Sequence, residues 1–294
     1  MIYGLRHRTT YDYGNSVSFA RCVLRLTPRS SPTQTVLESS VRVTPRPSLR
    51  QERTGPFGAE MVTVLVDRPH DTLVIEARSR IRVHTPPPPN AISTLPWETV
   101  RALAFEDRNL AADGPAAYLY PTNRTPLVPR ITDYARASLT PERPIVAAVS
   151  ELMTRVYKDF RYDPGATEVS TPVWQAFDAR HGVCQDFAQI MISGLRGLGL
   201  PTAYVSGYLR TIPPEGQPRL EGADATHAWI SVWCGAEAGW IGFDPTNDIL
   251  AADDHIVLAN GRDYADVAPI DGVILAAGAQ TLTVEVDVVP EEEY

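Results

Sequence analysis

Five short runs in which apolar and polar residues take turns fill the first 84 residues of this 294-residue chain. They are residues 1–13, 18–27 (FARCVLRLTP), 36–45 (VLESSVRVTP), 59–67 (AEMVTVLVD) and 71–84 (DTLVIEARSRIRVH). Alternation with a period of two puts the apolar side chains of a strand on one face and leaves the other wet. Pro, Gly and Ser break the runs at short intervals, as turns between strands require. Such a series predicts an antiparallel sandwich or a barrel-like sheet. The run TPPPPN at 85–90 ends it, because consecutive prolines offer no ladder donors and hold the chain extended. Residues 1–90 are therefore read as a β-rich N-terminal domain.

Residues 91–139 read as a connecting region, with one short helix over 97–106 and a Pro-rich passage at 121–129. From residue 140 the texture changes. Thr140 is suited to cap a helix and Pro141 to open it. Apolar residues at 145, 146, 149, 152, 153 and 156 form a helical stripe. Further helices are expected over 172–180 and from Cys184 through DFAQIMISGLRGLG, where Gly199 and Pro201 end the last one. Strands are expected at 202–210, 226–234, 239–244 and 281–289, with 291–293 a solvated acidic tail. The whole reads as α+β, with a catalytic or binding domain over 140–294.

Composition narrows the function classes. A hydrophobic fraction of 44% and a charged fraction of 21% belong to a folded chain, and a net charge of −8 argues against a nucleic-acid partner. MIYGLRHRTTYDYGNSV has no continuous apolar core, so it does not read as a signal peptide. No stretch reaches the roughly 20 apolar residues of a membrane-spanning helix, and no membrane partner is expected. Cys22, Cys184 and Cys234 are too widely spaced for a CxxC pair or a disulfide framework, which points to reduced thiols and a cytoplasmic setting. His181 and Cys184 form an isolated HxxC pair, so no metal or other cofactor is expected. Lys158 is the only lysine, so self-cross-linking through lysine amines has scarcely any substrate.

Three residues carry the chemistry. Cys184, in RHGVCQDFAQIM, is delivered by a glycine-containing loop to a helix start, where open amides and the helix dipole favour a thiolate and can receive an oxyanion. The plainer reading is a small buried hydrophobe. His227, in ATHAWISVWC, shares a strand face with Trp229, Ser231 and Trp233, and an imidazole there can take and return a thiol proton. The plainer reading is a core histidine under a tryptophan shelf. Asp244 lies across the short turn at 235–239, and folding that hairpin brings it opposite or nearly opposite His227, able to hold the second ring nitrogen. A turn-forming Asp before Pro245 is the alternative.

GVCQDFA, THAWISV and GFDPTN resemble the three core motifs of the transglutaminase-like superfamily, in its bacterial two-domain branch. The approach YDPGATEVSTPVWQAFDARHGVCQDFAQIM, the step LGLPTAYVSGYL and the passage HIVLANGRDYADVAPIDGV at 255–273 extend the resemblance over nearly the whole chain, and residues 1–90 resemble the family's bacterial N-terminal region. The resemblance implies Cys184 as nucleophile, His227 as general base and acid, and Asp244 as orienting acid. It also implies a papain-like core with the cysteine helix packed on an antiparallel sheet. Gln189 departs from the family pattern, where His often follows DFA.

Around these, Trp174 is a candidate for lining the acyl site or donating its indole N–H. The backbone amides of Gln185 and Asp186 are candidates for the oxyanion, with the Asp186 side chain capping locally. His255, Asp263 and Tyr264 belong to the passage after the acid, and Asp263 and Tyr264 read as structural or cleft-rim residues. The function expected is acyl transfer from a peptide or protein amide through a thioester, by a cysteine peptidase or amidohydrolase. A protein-glutamine transglutaminase or deamidase is the first alternative, and a non-catalytic scaffold on the same fold the second.

Overall fold

A computed structural model describes residues 1–211, 224–275 and 278–291. Six strands open the chain: β1 (Ile2–Val17), β2 (Ala20–Thr27), β3 (Gln34–Thr44), β4 (Leu49–Thr54), β5 (Glu60–Val66) and β6 (His70–Val83). Then follow α1 (Trp97–Glu106), α2 (Pro129–Arg136), α3 (Ile145–Asp159), β7 (Arg161–Tyr162), α4 (Val173–Ala179), β8 (His181–Gly182), α5 (Cys184–Gly197) and β9 (Thr202–Leu209). The chain ends with β10 (Ala225–Trp233), β11 (Trp240–Asp244), β12 (Ile249–Leu250), β13 (His255–Gly261), α6 (Tyr264–Val267), β14 (Ile270–Ile274) and β15 (Gln280–Glu291). The expected tail at 291–293 lies outside the described residues beyond Glu291.

The N-terminal strands form two antiparallel sheets, ordered β15-β1-β6-β3 and β14-β2-β5-β4. Val17, Cys22, Leu24, Val64, Leu73 and Ile75 meet between them as a sandwich core. The alternation explains this. From Tyr3 to Thr9 of β1 and from Leu73 to Val83 of β6 the odd-numbered residues are buried and the even-numbered ones are not. These two strands are long enough for their apolar face to serve two partners. Leu73, Ile75 and Ala77 pack on the second sheet, while Tyr3, Leu5, Ile81 and Val83 pack on Tyr208, Ile256 and Leu258 of the core. The polar residues His7, Thr9 and Ser79 are buried at the crossover between those halves.

The core sheet is antiparallel, ordered β12-β11-β10-β9-β13. Ala228, Ile230 and Val232 of β10 join Phe187, Ile190 and Met191 of α5 in the largest apolar cluster. The region expected to connect domains contributes to that same cluster through Trp97, Val100, Val128 and Ile131. Arg196, near the end of α5, fixes it further: its buried guanidinium donates to the Tyr120, Thr202 and Arg262 carbonyls and to the Thr125 hydroxyl.

Two local expectations change. Thr140 does not cap α3, which starts at Ile145 behind Pro144. Glu142 has a φ of 59° and the Arg143 N–H returns to the Thr140 carbonyl, so residues 140–143 form a turn instead of a first helical turn. The last two strands, within the span 140–294 read as one domain, pair with the N-terminal sheets, β14 on β2 and β15 on β1. Among the described residues no helix is long and apolar enough to cross a membrane.

Candidate active site

The loop before α5 is shaped by one carboxylate. Val183 is extended, with φ −110° and ψ 179°, and Asp186 folds back so that its Oδ2 accepts the Val183 N–H at 2.8 Å and the Thr167 hydroxyl at 2.6 Å. Gly182 makes room for this, since a Cβ there would sit 2.6 Å from the same oxygen. Burial pushes the Asp186 carboxyl up, and the two hydrogen bonds oppose that. Cys184 is thereby set as the first residue of the helix, partly exposed. The N–H of Asp186 donates to the Val183 carbonyl, which removes it from the oxyanion donors expected. The amides of Cys184 and Gln185 stand at the open first turn.

β10 and β11 pair with Trp233 opposite Trp240 and Ile230 opposite Phe243. Continued one step, that register sets Asp244 beside Trp229, on the face of His227 and diagonal to it. His227 Nε2 lies 2.8 Å from Asp244 Oδ2, and Cys184, at the start of α5, is near enough to act on the ring electrostatically. With Nε2 on the carboxylate, Nδ1 is the nitrogen left for the thiol. Burial lowers the basicity of His227, but Asp244 and Cys184 outweigh it and raise its pKa to about 9.

Asp244 is fully buried and uses both oxygens. Oδ1 accepts the Thr246 N–H at 3.0 Å, the turn expected before Pro245. Oδ2 accepts from His227, from Asn247 Nδ2 at 2.7 Å and from His255 Nε2 at 3.2 Å. Burial raises the carboxyl pKa, but these donors overcome it and hold the group well below the usual carboxylate range. Beneath the two histidines lies Trp229, stacked on His227 with ring centroids 6.0 Å apart and edge-on to His255 at 5.1 Å. Gly207 and Gly242 lie against the indole, and a Cβ at Gly207 would come within 2.5 Å of it.

The peripheral candidates fare differently. Gln185 is buried and its Nε2 donates to the Val169 carbonyl at 3.2 Å, so its side chain pins the 163–171 loop. Trp174, on α4, is 46% exposed, and no hydrogen bond joins it to Cys184, His227 or Asp244 among the described residues. Asp263 caps α6 through the Ala265 N–H, and Tyr264 packs edge-on to Tyr204. Three residues had no role assigned from sequence: Asn247, His255 and Tyr162. Asn247 lies in the motif GFDPTN, three residues after Asp244. Tyr162 is half exposed, edge-on to Phe187, and close enough to feel the charge of Cys184.

Side-chain nitrogen and oxygen atoms of His227, Asp244 and His255 lie within 4.8 Å of one another, a span a divalent cation fits. Their protonation fits a hydrogen-bond relay instead. His255 Nδ1 accepts the Ala252 N–H at 3.3 Å, so the neutral ring carries its proton on Nε2 and has no lone pair there for a metal.

Two known families match stretches of the chain. Residues 3–82 match the bacterial transglutaminase-like N-terminal region, and residues 132–245 match the transglutaminase-like superfamily. An uncharacterised protein of Mycobacterium tuberculosis is 39% identical over 99% of this chain and 93% of its own length. The chain belongs to the transglutaminase-like superfamily. An uncharacterised protein of Mycobacterium leprae is 33% identical over 96% of both chains. A crystal structure of a candidate cysteine protease from Cytophaga hutchinsonii shares the fold across all of this chain and 92% of its own, with a TM-score of 0.73 and 19% identity. The mixed architecture, antiparallel N-terminal sheets followed by a papain-like core, is that of this superfamily.

Proposed function

We propose that the protein is a thiol-dependent acyl-transfer enzyme that hydrolyses an amide bond of a peptide or protein, as a cysteine peptidase or amidohydrolase. The observation that carries this reading is His227 held at 2.8 Å by the buried Asp244, with the partly exposed Cys184 at the start of α5 within electrostatic reach of the same ring. Cys184 gives its thiol proton to His227 and its Sγ attacks the carbonyl carbon, and the charge that develops on oxygen faces the first turn of α5. The C–N bond breaks, the imidazolium of His227 gives its proton to the leaving amine, and a thioester remains on Cys184. Water then attacks the thioester, His227 takes its proton, and the carboxylic acid leaves as the thiol is restored. Asp244 holds the tautomer of His227 and stabilises its charged form without taking the proton.

The test is alkylation of Cys184 near neutral pH in the full chain and in His227→Ala, followed by turnover of peptide and glutamine substrates with and without a primary amine. Rapid alkylation that drops about tenfold or more without His227, the loss of one charge-assisted hydrogen bond, is expected. Chain cleavage, or ammonia release without amine incorporation, completes the assignment. Amine incorporation would assign a transglutaminase instead. A Cys184 that reacts like an ordinary free thiol would leave the scaffold reading standing.

A further inference from the structure

Resting on that reading of the site, we propose that His255 is a positioning residue. It donates its Nε2–H to the Asp244 oxygen that also holds His227, draws off part of the carboxylate charge, and so limits how tightly His227 holds its proton.

His255 opens β13, and its ring is buried against Trp229. The chain at 252–255 turns, with the His255 N–H donating to the Ala252 carbonyl at 2.9 Å and the Ala252 N–H donating to Nδ1 at 3.3 Å. That backbone donor takes the Nδ1 lone pair and leaves the proton on Nε2, which faces Asp244 Oδ2 at 3.2 Å. One carboxylate oxygen therefore serves two imidazoles. Asn247 also donates to it, and Thr246 anchors the other oxygen. The carboxylate keeps its orientation through these two, so the separate contribution of His255 is electrostatic.

The chemistry gives this a purpose. A lone buried carboxylate would bind the imidazolium of His227 tightly and make it a poor acid towards the leaving amine. A neutral donor on the same oxygen spreads the charge. The ionisable groups acting on His227 are Asp244 and Cys184 from α5, while Tyr162 from β7 and Tyr204 from β9 lie within electrostatic reach of Cys184.

Two substitutions separate this role from packing. His255→Leu keeps the volume and removes the donor, while His255→Gln puts an amide N–H near the position of Nε2. Both lose the acceptor for Ala252. The readout is 15N NMR of histidine-labelled full-length protein, which reports each ring's tautomer and the titration midpoint of His227. In the wild type His255 should appear as the neutral Nε2–H tautomer. In His255→Leu the His227 midpoint should rise by about half a unit to one unit, the worth of one hydrogen bond to a charged group shared across the relay. It should return towards the wild-type value in His255→Gln. A wild-type His255 protonated on Nδ1 overturns the proposal, as does a midpoint that stays or falls in the Leu variant, or a Gln variant that behaves like Leu. Should the Leu variant fail to fold, the wild-type tautomer still decides. The alkylation assay keeps the two readings apart. His227-dependent reactivity of Cys184 with a negative NMR result removes only the role of His255, whereas an unreactive Cys184 removes the enzyme.

Discussion

His7 offers a quantitative check on how the two halves of the molecule are joined. It is 2% exposed, at the point where the apolar face of β1 passes from the sandwich to the core. Its Nδ1 lies 2.8 Å from the Tyr208 hydroxyl on β9, and its Nε2 lies 3.0 Å from the Thr9 hydroxyl. Burial alone drives its pKa down from 6.5 to about 4. The folded-state value is depressed, so between these two values protons bind the unfolded chain more readily than the folded one. Stability is then fully present above about pH 6.5 and declines as pH falls towards 4. A shift of this size is worth about 3 kcal/mol by pH 4, as an upper figure because both hydroxyls can accept from the charged ring. Carboxylates titrate in the same window, so the quantity to measure is the difference between wild type and His7→Gln in urea unfolding at pH 7 and pH 4.5. The variant keeps a hydrogen-bonding side chain but cannot charge, so the gap should move in its favour by about 2 kcal/mol as pH falls. Stability profiles that run parallel across that range would show that His7 is not held neutral at the seam.

Two further outcomes are expected. Asp244→Asn removes the charge that stabilises the His227 imidazolium, and should slow alkylation of Cys184 about 10- to 100-fold near neutral pH while leaving the circular dichroism spectrum unchanged. Gln34→Ala should cost on the order of 2–4 kcal/mol in urea unfolding and expose the Val257 amide to hydrogen exchange, because Gln34 Oε1 accepts the Val257 N–H and Gln34 Nε2 donates to the Val257 carbonyl, both at 2.9 Å; unchanged protection of Val257 would refute it.

The N-terminal strands were legible because their alternation is the direct imprint of one wet and one dry face. β4 escaped because all six residues of LRQERT are exposed and none needs a core. β13 escaped for the opposite reason: HIVLANG is covered on both faces, so no alternation marks it. α2 lay hidden in a Pro-rich passage, although Pro129 at its first position and Ile131 and Ala135 four residues apart were the signal. At the site, the short hairpin made Asp244 legible beside His227, since two adjacent strands leave few registers. The two readings of Asp244, turn former and partner of histidine, were not alternatives, because each oxygen serves one of them. His255 was legible only as the first residue of the passage after the acid, with no local signal for its partner. Its strand is separated from β11 by β10 and β9, and only the sheet order brings its ring to Asp244.

That sheet order also gives the N-terminal sandwich a mechanical bearing on the site. β13 is the outermost strand of the core sheet, and an outer strand left bare frays and invites foreign pairing. Here its free side meets the sandwich. Gln34 supplies both a donor and an acceptor to Val257, close to where the β13–β9 register shifts, and Ile256 and Leu258 are buried beneath Tyr3, Leu5 and Ile81. Val286 and Val288 of β15 enter the same cluster, so the end of the chain closes over the seam. Two residues before Val257 on this strand is His255, whose ring reaches the carboxylate that holds His227. A perturbation of the sandwich that loosens β13 is therefore expected to disturb the contact between His255 and Asp244, because the long apolar faces of β1 and β6 pack against the strand that carries His255.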